Sequence, residues 1–364
     1  MPLRCGIVGL PNVGKSTIFN ALTAAGALAA NYPFATIEPN VGVVTVPDHR
    51  IDALIKVVKP KRVLYTTVNF VDIAGLVKGA NAGEGLGNQF LSHIREVDAI
   101  GHVVRCFDNA DVVHVEGSVN PERDIAIIDT ELVLKDLESV NKRISQVERT
   151  AKSGDKDAKL AFDVLSKVKV QLNDGKPVRL MSLSENDRKA IADLFLLTDK
   201  PVLYICNVSE SDVLTENNYV KQVRSIAEKE NARVVVISGQ IESEIQQLPE
   251  EERKGFLESL GLKEPGLHAL IRETYSLLDM ISFLTAGVEE VRAWTITRGT
   301  KNPQAAGVIH SDFEKGFICA DVIWWEDFVK HGGEQACKDK GLLRTEGKEY
   351  VVKDGDVMHF KFNV

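Results

Sequence analysis

Over the first two thirds of the chain, short apolar runs alternate with stretches whose apolar residues recur at helical spacing. Runs at residues 4–10, 66–73, 99–107, 202–207 and 233–238 have strand length and end in glycine or polar turn residues. Between them lie segments such as KSTIFNALTAAG from Lys15 and residues 218–229, which repeat every three or four positions. Near-continuous apolar strands separated by helices predict the α/β class, with a mostly parallel sheet covered on both faces.

Between Phe107 and Val202 the chain is far longer than an ordinary connection, which predicts an inserted element. Its first half places Val133, Leu137, Val140, Ile144 and Val147 at alternating four- and three-residue steps; its second places Leu160, Val164, Val168 and Leu172 at four-residue steps. With Ser153, Gly154 and Asp155 as the turn, this reads as an antiparallel helical hairpin, and two ordinary packed helices fit the same periodicity. Between Lys142 and Lys169 the hairpin carries eight basic residues to four acidic ones, so its tip is either a phosphate-contacting surface or a solvated face. After about Asp279 the texture changes. Residues 288–298, 307–310, 317–323 and 357–362 read as strands of a small mixed domain. The last of these puts Val357, His359, Lys361 and Asn363 on one side and Met358, Phe360, Phe362 and Val364 on the buried side.

Composition adds exclusions. The 364 residues are 44% hydrophobic and 26% charged, ample for a packed core and two or three domains. Five cysteines without a CxxC spacing suggest neither a disulfide framework nor a zinc site, and a reducing compartment fits. With neither a signal peptide nor a membrane-length apolar run, a soluble, cytoplasmic protein without membrane contact is expected. A net charge of −8 argues against general adhesion to nucleic acid, leaving room for a local basic patch.

The strongest chemical signal is GLPNVGKS, in which Gly9, Gly14, Lys15 and Ser16 fill G-x-x-x-x-G-K-[ST] between a strand and a helix. Backbone amides of Asn12, Val13, Gly14, Lys15, Ser16 and Thr17 are expected to cradle phosphates. Lys15 reaches the β/γ oxygens and Ser16 ligates Mg2+. In VDIAG, Asp72 closes an apolar strand as a second Mg2+ ligand and the Gly75 amide senses the γ-phosphate. A glycine-rich loop at residues 79–87 follows and reads as a moving switch. Thr36, in NYPFATIEPN, takes the place of a switch threonine that completes magnesium coordination; its plainer alternative is a loop hydroxyl bonded to local backbone.

Base selection rests on Asn207-Val208-Ser209-Glu210, where a GTPase presents N-K-x-D. Val208 removes the lysine stem, and Glu210 is too long for the two-point guanine contact. Asn207 keeps an amide for the N6/N7 edge of adenine, and Ser238 and Gly239 line the pocket, so ATP is preferred over GTP. Leu76 follows Gly75 where many GTPases carry a water-orienting glutamine. Two polar groups are candidates to compensate. Asn12 is a candidate ligand for a monovalent cation, K+, the alternative being loop hydrogen bonding; His114 is a candidate catalytic group, the alternative being a surface histidine.

GLPNVGKS, NYPFATIEPN, VDIAGLVKGA, NVSE and the ending DGDVMHFKFNV together resemble the Obg-like ATPase family of YchF type, end to end. The resemblance implies a P-loop NTPase G domain at residues 1–121 and 201–280, an inserted coiled-coil domain at 122–200 and a β-grasp TGS domain at 281–364. It implies ATP hydrolysis to ADP with a hydrophobic residue, here Leu76, in place of the glutamine, and it strengthens His114 as a catalytic residue. It also implies association with ribosomes, with the hairpin tip and C-terminal domain as contact surfaces for rRNA. Ala35 stands where relatives often carry cysteine. A slow, monomeric regulatory ATPase is the reading; a GTPase of the same fold and a nucleotide-stabilised RNA-binding module are the alternatives.

Overall fold

The structure is a computed structural model describing residues 3–27, 40–73, 91, 93–109, 111–112 and 114–363. Thr36, Gly75, Leu76, Ala35 and the 79–87 loop lie outside the described residues. The chain divides into two compact units, residues 1–43 with 69–270 and residues 44–68 with 271–364.

The first unit is built on strands β1 (Arg4–Val8), β2 (Val41–Thr45), β4 (Thr67–Asp72), β5 (Ala99–Arg105), β6 (Val202–Asn207) and β7 (Arg233–Ile237), while β3 (Arg62–Leu64) belongs to the second sheet. The order is β2-β4-β1-β5-β6-β7, and the pairs β4-β1, β1-β5, β5-β6 and β6-β7 are parallel. Every residue of β5 and β6 is buried, which accounts for their unbroken apolar sequence. From β1 the chain goes first to β2 and β4 on one side and then to β5 on the other. Such a switch point opens a crevice at the carboxyl ends of the strands.

The insertion forms two helices, Pro121–Lys152 and Lys156–Asn173. Asn120 and Asp155 cap them by accepting backbone N–H bonds, and proline occupies the first turn of the longer one. The predicted stripe closes the hairpin, with Val133, Val140 and Val147 packed against Val164, Val168 and Leu172. Leu160, by contrast, is 39% exposed near the tip. At its base the hairpin is fastened to the sheet. Arg179 pairs with Asp129 of the long helix and with Glu230, which also accepts from Tyr204 of β6. Buried Asp136 accepts both backbone N–H bonds of Leu197 and Thr198.

The second unit holds β8 (Met280–Ala286), β9 (Glu290–Thr297), β10 (Phe317–Trp324), β11 (Arg344–Glu346) and β12 (Asp356–Phe362) in the order β11-β10-β12-β8-β9-β3. A central parallel pair, β12 with β8, has antiparallel neighbours on both sides.

Two local expectations are corrected here. Residues 307–310 are not a strand: they end the Asn302–Ile309 helix, which proline starts and which buries Ala305 and Ala306. A short apolar run reads equally as strand or buried helix, and the proline two residues upstream of Ala305 favours the helix. On β12, His359 and Lys361 are exposed as predicted, but Val357 is buried on their side of the strand. It packs with Ile51 and Leu54 from the 44–68 excursion. That excursion is part of the stretch 1–121 that the sequence reading placed in one domain.

Candidate nucleotide-binding site

The GLPNVGKS loop connects β1 to the Lys15–Ala27 helix at the carboxyl end of the sheet. Gly14 has φ of 92°, and a Cβ there would lie 2.1 Å from Asn207 Nδ2, so both backbone and neighbour demand glycine. At Gly9 a Cβ would come within 2.8 Å of the Val103 carbonyl oxygen. Asn12 is also left-handed, at φ 63°, a conformation asparagine tolerates better than most residues. Ser16 and Thr17 are exposed at the helix N-terminus, where unpaired amides and the helix dipole favour phosphate. Lys15 Nζ forms an ion pair with Asp72 Oδ1, which brings the end of β4 to the phosphate side.

A groove of about 1150 Å³ runs from this loop across the ends of β5, β6 and β7. Of the predicted residues, Asn12, Gly14, Lys15, Ser16, Thr17, Asn207, Val208, Ser238 and Gly239 line it together, with Glu210 exposed at the same rim. Val13 lies beneath, 1% exposed. Thr36 and Gly75 lie outside the described residues. Ser238 caps the Gly239–Gln247 helix, and the Val208 amide donates to Ile237, holding β6 and β7 level at the groove.

Asn207 is differently employed than its place in the motif suggested. Its Nδ2 donates to the Val13 carbonyl at 2.9 Å and its Oδ1 accepts from the Gly239 amide at 3.0 Å, with 5% of the residue exposed. The amide thus ties the phosphate loop to the β7 turn. His114 does not line the groove. Nε2 lies 2.9 Å from Asp124 Oδ2 and Nδ1 accepts from the Glu116 amide, so Nε2 carries the proton and donates it to Asp124. The ring is buried, not a surface histidine.

Sequence reasoning missed the wall formed by Phe107, Asp108, Asn109 and Val112. Their position after a predicted strand, at the carboxyl edge of a parallel sheet, was the available signal. For Mg2+, Ser16 and Asp72 supply a hydroxyl and a carboxylate, the hard oxygen donors the ion takes. Among the described residues no cluster of three or more His, Cys, Asp or Glu side chains could hold a metal. A site that borrows phosphate oxygens and water needs no such cluster.

One buried acid beside the groove gives a pH prediction. Glu242, on the helix after Gly239, accepts from the Gly266 amide at 2.7 Å, and its Oε2 has no hydrogen-bond partner among the described residues. Burial pushes its carboxyl from 4.5 up to about 7, against the amide bonds that favour the anion. The folded chain therefore holds a proton that the unfolded chain releases. This contribution to stability is full below about pH 4.5, falls as pH rises towards 7 and levels off above it. Glu242→Gln is expected to flatten that slope and raise stability at pH 8 by up to about 3 kcal/mol. Thermal midpoints of both proteins across pH 5–8 check it; parallel curves would remove Glu242 as the source.

A phosphate-binding loop at the switch point of a parallel α/β sheet, with a base-side groove beyond it, defines a P-loop nucleotide-binding protein. Family comparison agrees: the model described as "50S ribosome-binding GTPase" matches residues 4–147, and YchF-GTPase_C, described as "Protein of unknown function (DUF933)", matches residues 280–363. The chain is 57% identical to the Ribosome-binding ATPase YchF of Escherichia coli O157:H7, over 100% of both chains. To the protein of the same name from Bacillus subtilis strain 168 it is 54% identical, again over 100% of both. The solved structure of the Schizosaccharomyces pombe YchF GTPase superposes with a TM-score of 0.88 at 41% identity, covering 99% of this chain and 97% of that one. The chain belongs to the YchF family. No helix among the described residues is long and apolar enough to cross a membrane.

Proposed function

We propose that this chain is a ribosome-associated regulatory ATPase that hydrolyses ATP to ADP and phosphate in the groove above the phosphate loop. The curated relatives bear the name ribosome-binding ATPase, whereas the family model and the fission-yeast structure bear the word GTPase. The base side supports the ATPase reading. Val208 and Glu210 line the groove where guanine recognition uses lysine and aspartate: valine has no polar group to offer, and the extra methylene of glutamate displaces its carboxylate from the two-point contact.

In this reading Lys15 and the loop amides hold the phosphates, and Ser16, Asp72 and Thr36 hold Mg2+, which neutralises charge on the transferred phosphoryl group. Gly75 senses the γ-phosphate, and Asn12 is the ligand for K+. His114 acts in turnover once it leaves Asp124, a step that keeps intrinsic hydrolysis slow. Residues 1–121 with 201–280, apart from the 44–68 excursion that packs with the second unit, form the catalytic domain, 122–200 the inserted helical domain and 281–364 a TGS domain. The protein works as a cytoplasmic monomer, with the basic hairpin tip contacting rRNA. Exposed Lys156 and Lys159 beside the Ser153–Asp155 turn support that surface.

The test is nucleotide competition. The wild type is expected to release bound ATP analogue to ATP far more readily than to GTP, and Val208→Lys with Glu210→Asp to shift preference towards GTP. Equal competition by GTP in the wild type would favour the GTPase reading.

A further inference from the structure

Arg105, the last residue of β5, is 1% exposed and stands opposite Asn207 on β6. A guanidinium this deeply buried is expensive unless its N–H groups are met. Here they are met by carbonyls of the loop that follows. Nε donates to Phe107 at 3.1 Å, one terminal nitrogen to Val112 at 3.0 Å and the other to Asn109 at 3.2 Å. The guanidinium carbon also lies 4.7 Å from the centre of the Phe107 ring. The same loop is pinned from outside by Asn217, which donates to the Cys106 carbonyl, and by Tyr219, which donates to Asp108.

The loop so held is the wall of the groove at Phe107, Asp108, Asn109 and Val112, and it runs directly into His114. We infer that Arg105 is a positioning residue for ATP binding and turnover: its forked guanidinium holds Phe107, Asn109 and Val112 in the places from which they wall the groove. Arg105 does not touch nucleotide itself. A fork reaching three carbonyls in different directions is a task for which lysine is no substitute, since a single ammonium cannot span them. The inference rests on the groove being the ATP site.

The full-length chain carrying Arg105→Lys is compared with the wild type and with Lys15→Ala for binding of a fluorescent ATP analogue, steady-state turnover and amide hydrogen exchange. Arg105→Lys is expected to weaken ATP binding about tenfold and to speed exchange at 106–118 while leaving 202–238 unchanged. Unaltered affinity, or exchange that rises equally in both segments, would overturn the inference. Lys15→Ala is expected to lose ATP binding with exchange at 106–118 unchanged. Full ATP binding by that variant would instead remove the groove as the ATP site. Should Arg105→Lys fail to fold, the wild type still decides the matter. Its Arg105 Nε–H is expected to exchange slowly with solvent and to shift when ATP is added, and a resonance indifferent to ATP would defeat the proposal.

Discussion

Alanine at position 114 is expected to leave ATP affinity within about twofold of the wild type and to lower turnover by about a hundredfold or more. The first half follows from burial. His114 does not line the groove and its ring is bonded at both nitrogens, to Asp124 and to the Glu116 amide, so it contributes nothing to ground-state binding in this arrangement. The second half follows from Leu76. With no glutamine to orient the attacking water, a polar group must come from elsewhere, and His114 lies on the chain directly after the loop that walls the groove. Single-turnover hydrolysis at saturating ATP, with and without potassium and ribosomes, measures the effect. Unchanged turnover would take His114 out of the chemistry. A large loss of ATP affinity would make it a binding or folding residue instead.

Features encoded over a few consecutive residues were legible in the sequence. The phosphate loop announces itself through Gly9, Gly14, Lys15 and Ser16, because the wrapping of backbone around phosphate fixes glycine and lysine at set spacing. The hairpin was legible because a packed seam repeats its apolar residues along one helix face, and Ser153 to Asp155 interrupt both seams. Long-range features were hidden. Nothing local in Ile51 or Leu54 says that they cover β12 some 300 residues later, and so Val357 was placed on a solvent face. The burial of His114 depends on Asp124, which lies in the first turn of the long helix and reads in sequence as an ordinary helix-start acid. Arg105 closes an apolar strand and would pass for a charged residue at a strand end. Its value lies in carbonyls that only the folded loop presents.

Asn207→Ala separates two accounts of the base site that the motif alone leaves joined. If the side chain reads adenine, its loss should weaken ATP and leave GTP where it was, because only the ATP contact disappears. The described geometry predicts otherwise. The amide spans from Val13 in the phosphate loop to Gly239 at the β7 turn, and truncation strands a buried carbonyl and a buried N–H at once. Each stranded group costs about 1–3 kcal/mol, so nucleotide-free stability is expected to fall by about 2–5 kcal/mol. Affinities for ATP and GTP are expected to fall together, by about tenfold or more, as the loop that holds their shared phosphates loses its tether. Asn207→Asp is expected to be no better. Its carboxylate still accepts from Gly239 but has nothing to donate to Val13, and it sets negative charge against a carbonyl oxygen. Chemical denaturation without nucleotide, paired with ATP and GTP titrations of the same samples, measures both effects. A loss confined to ATP, with stability intact, would return Asn207 to the base.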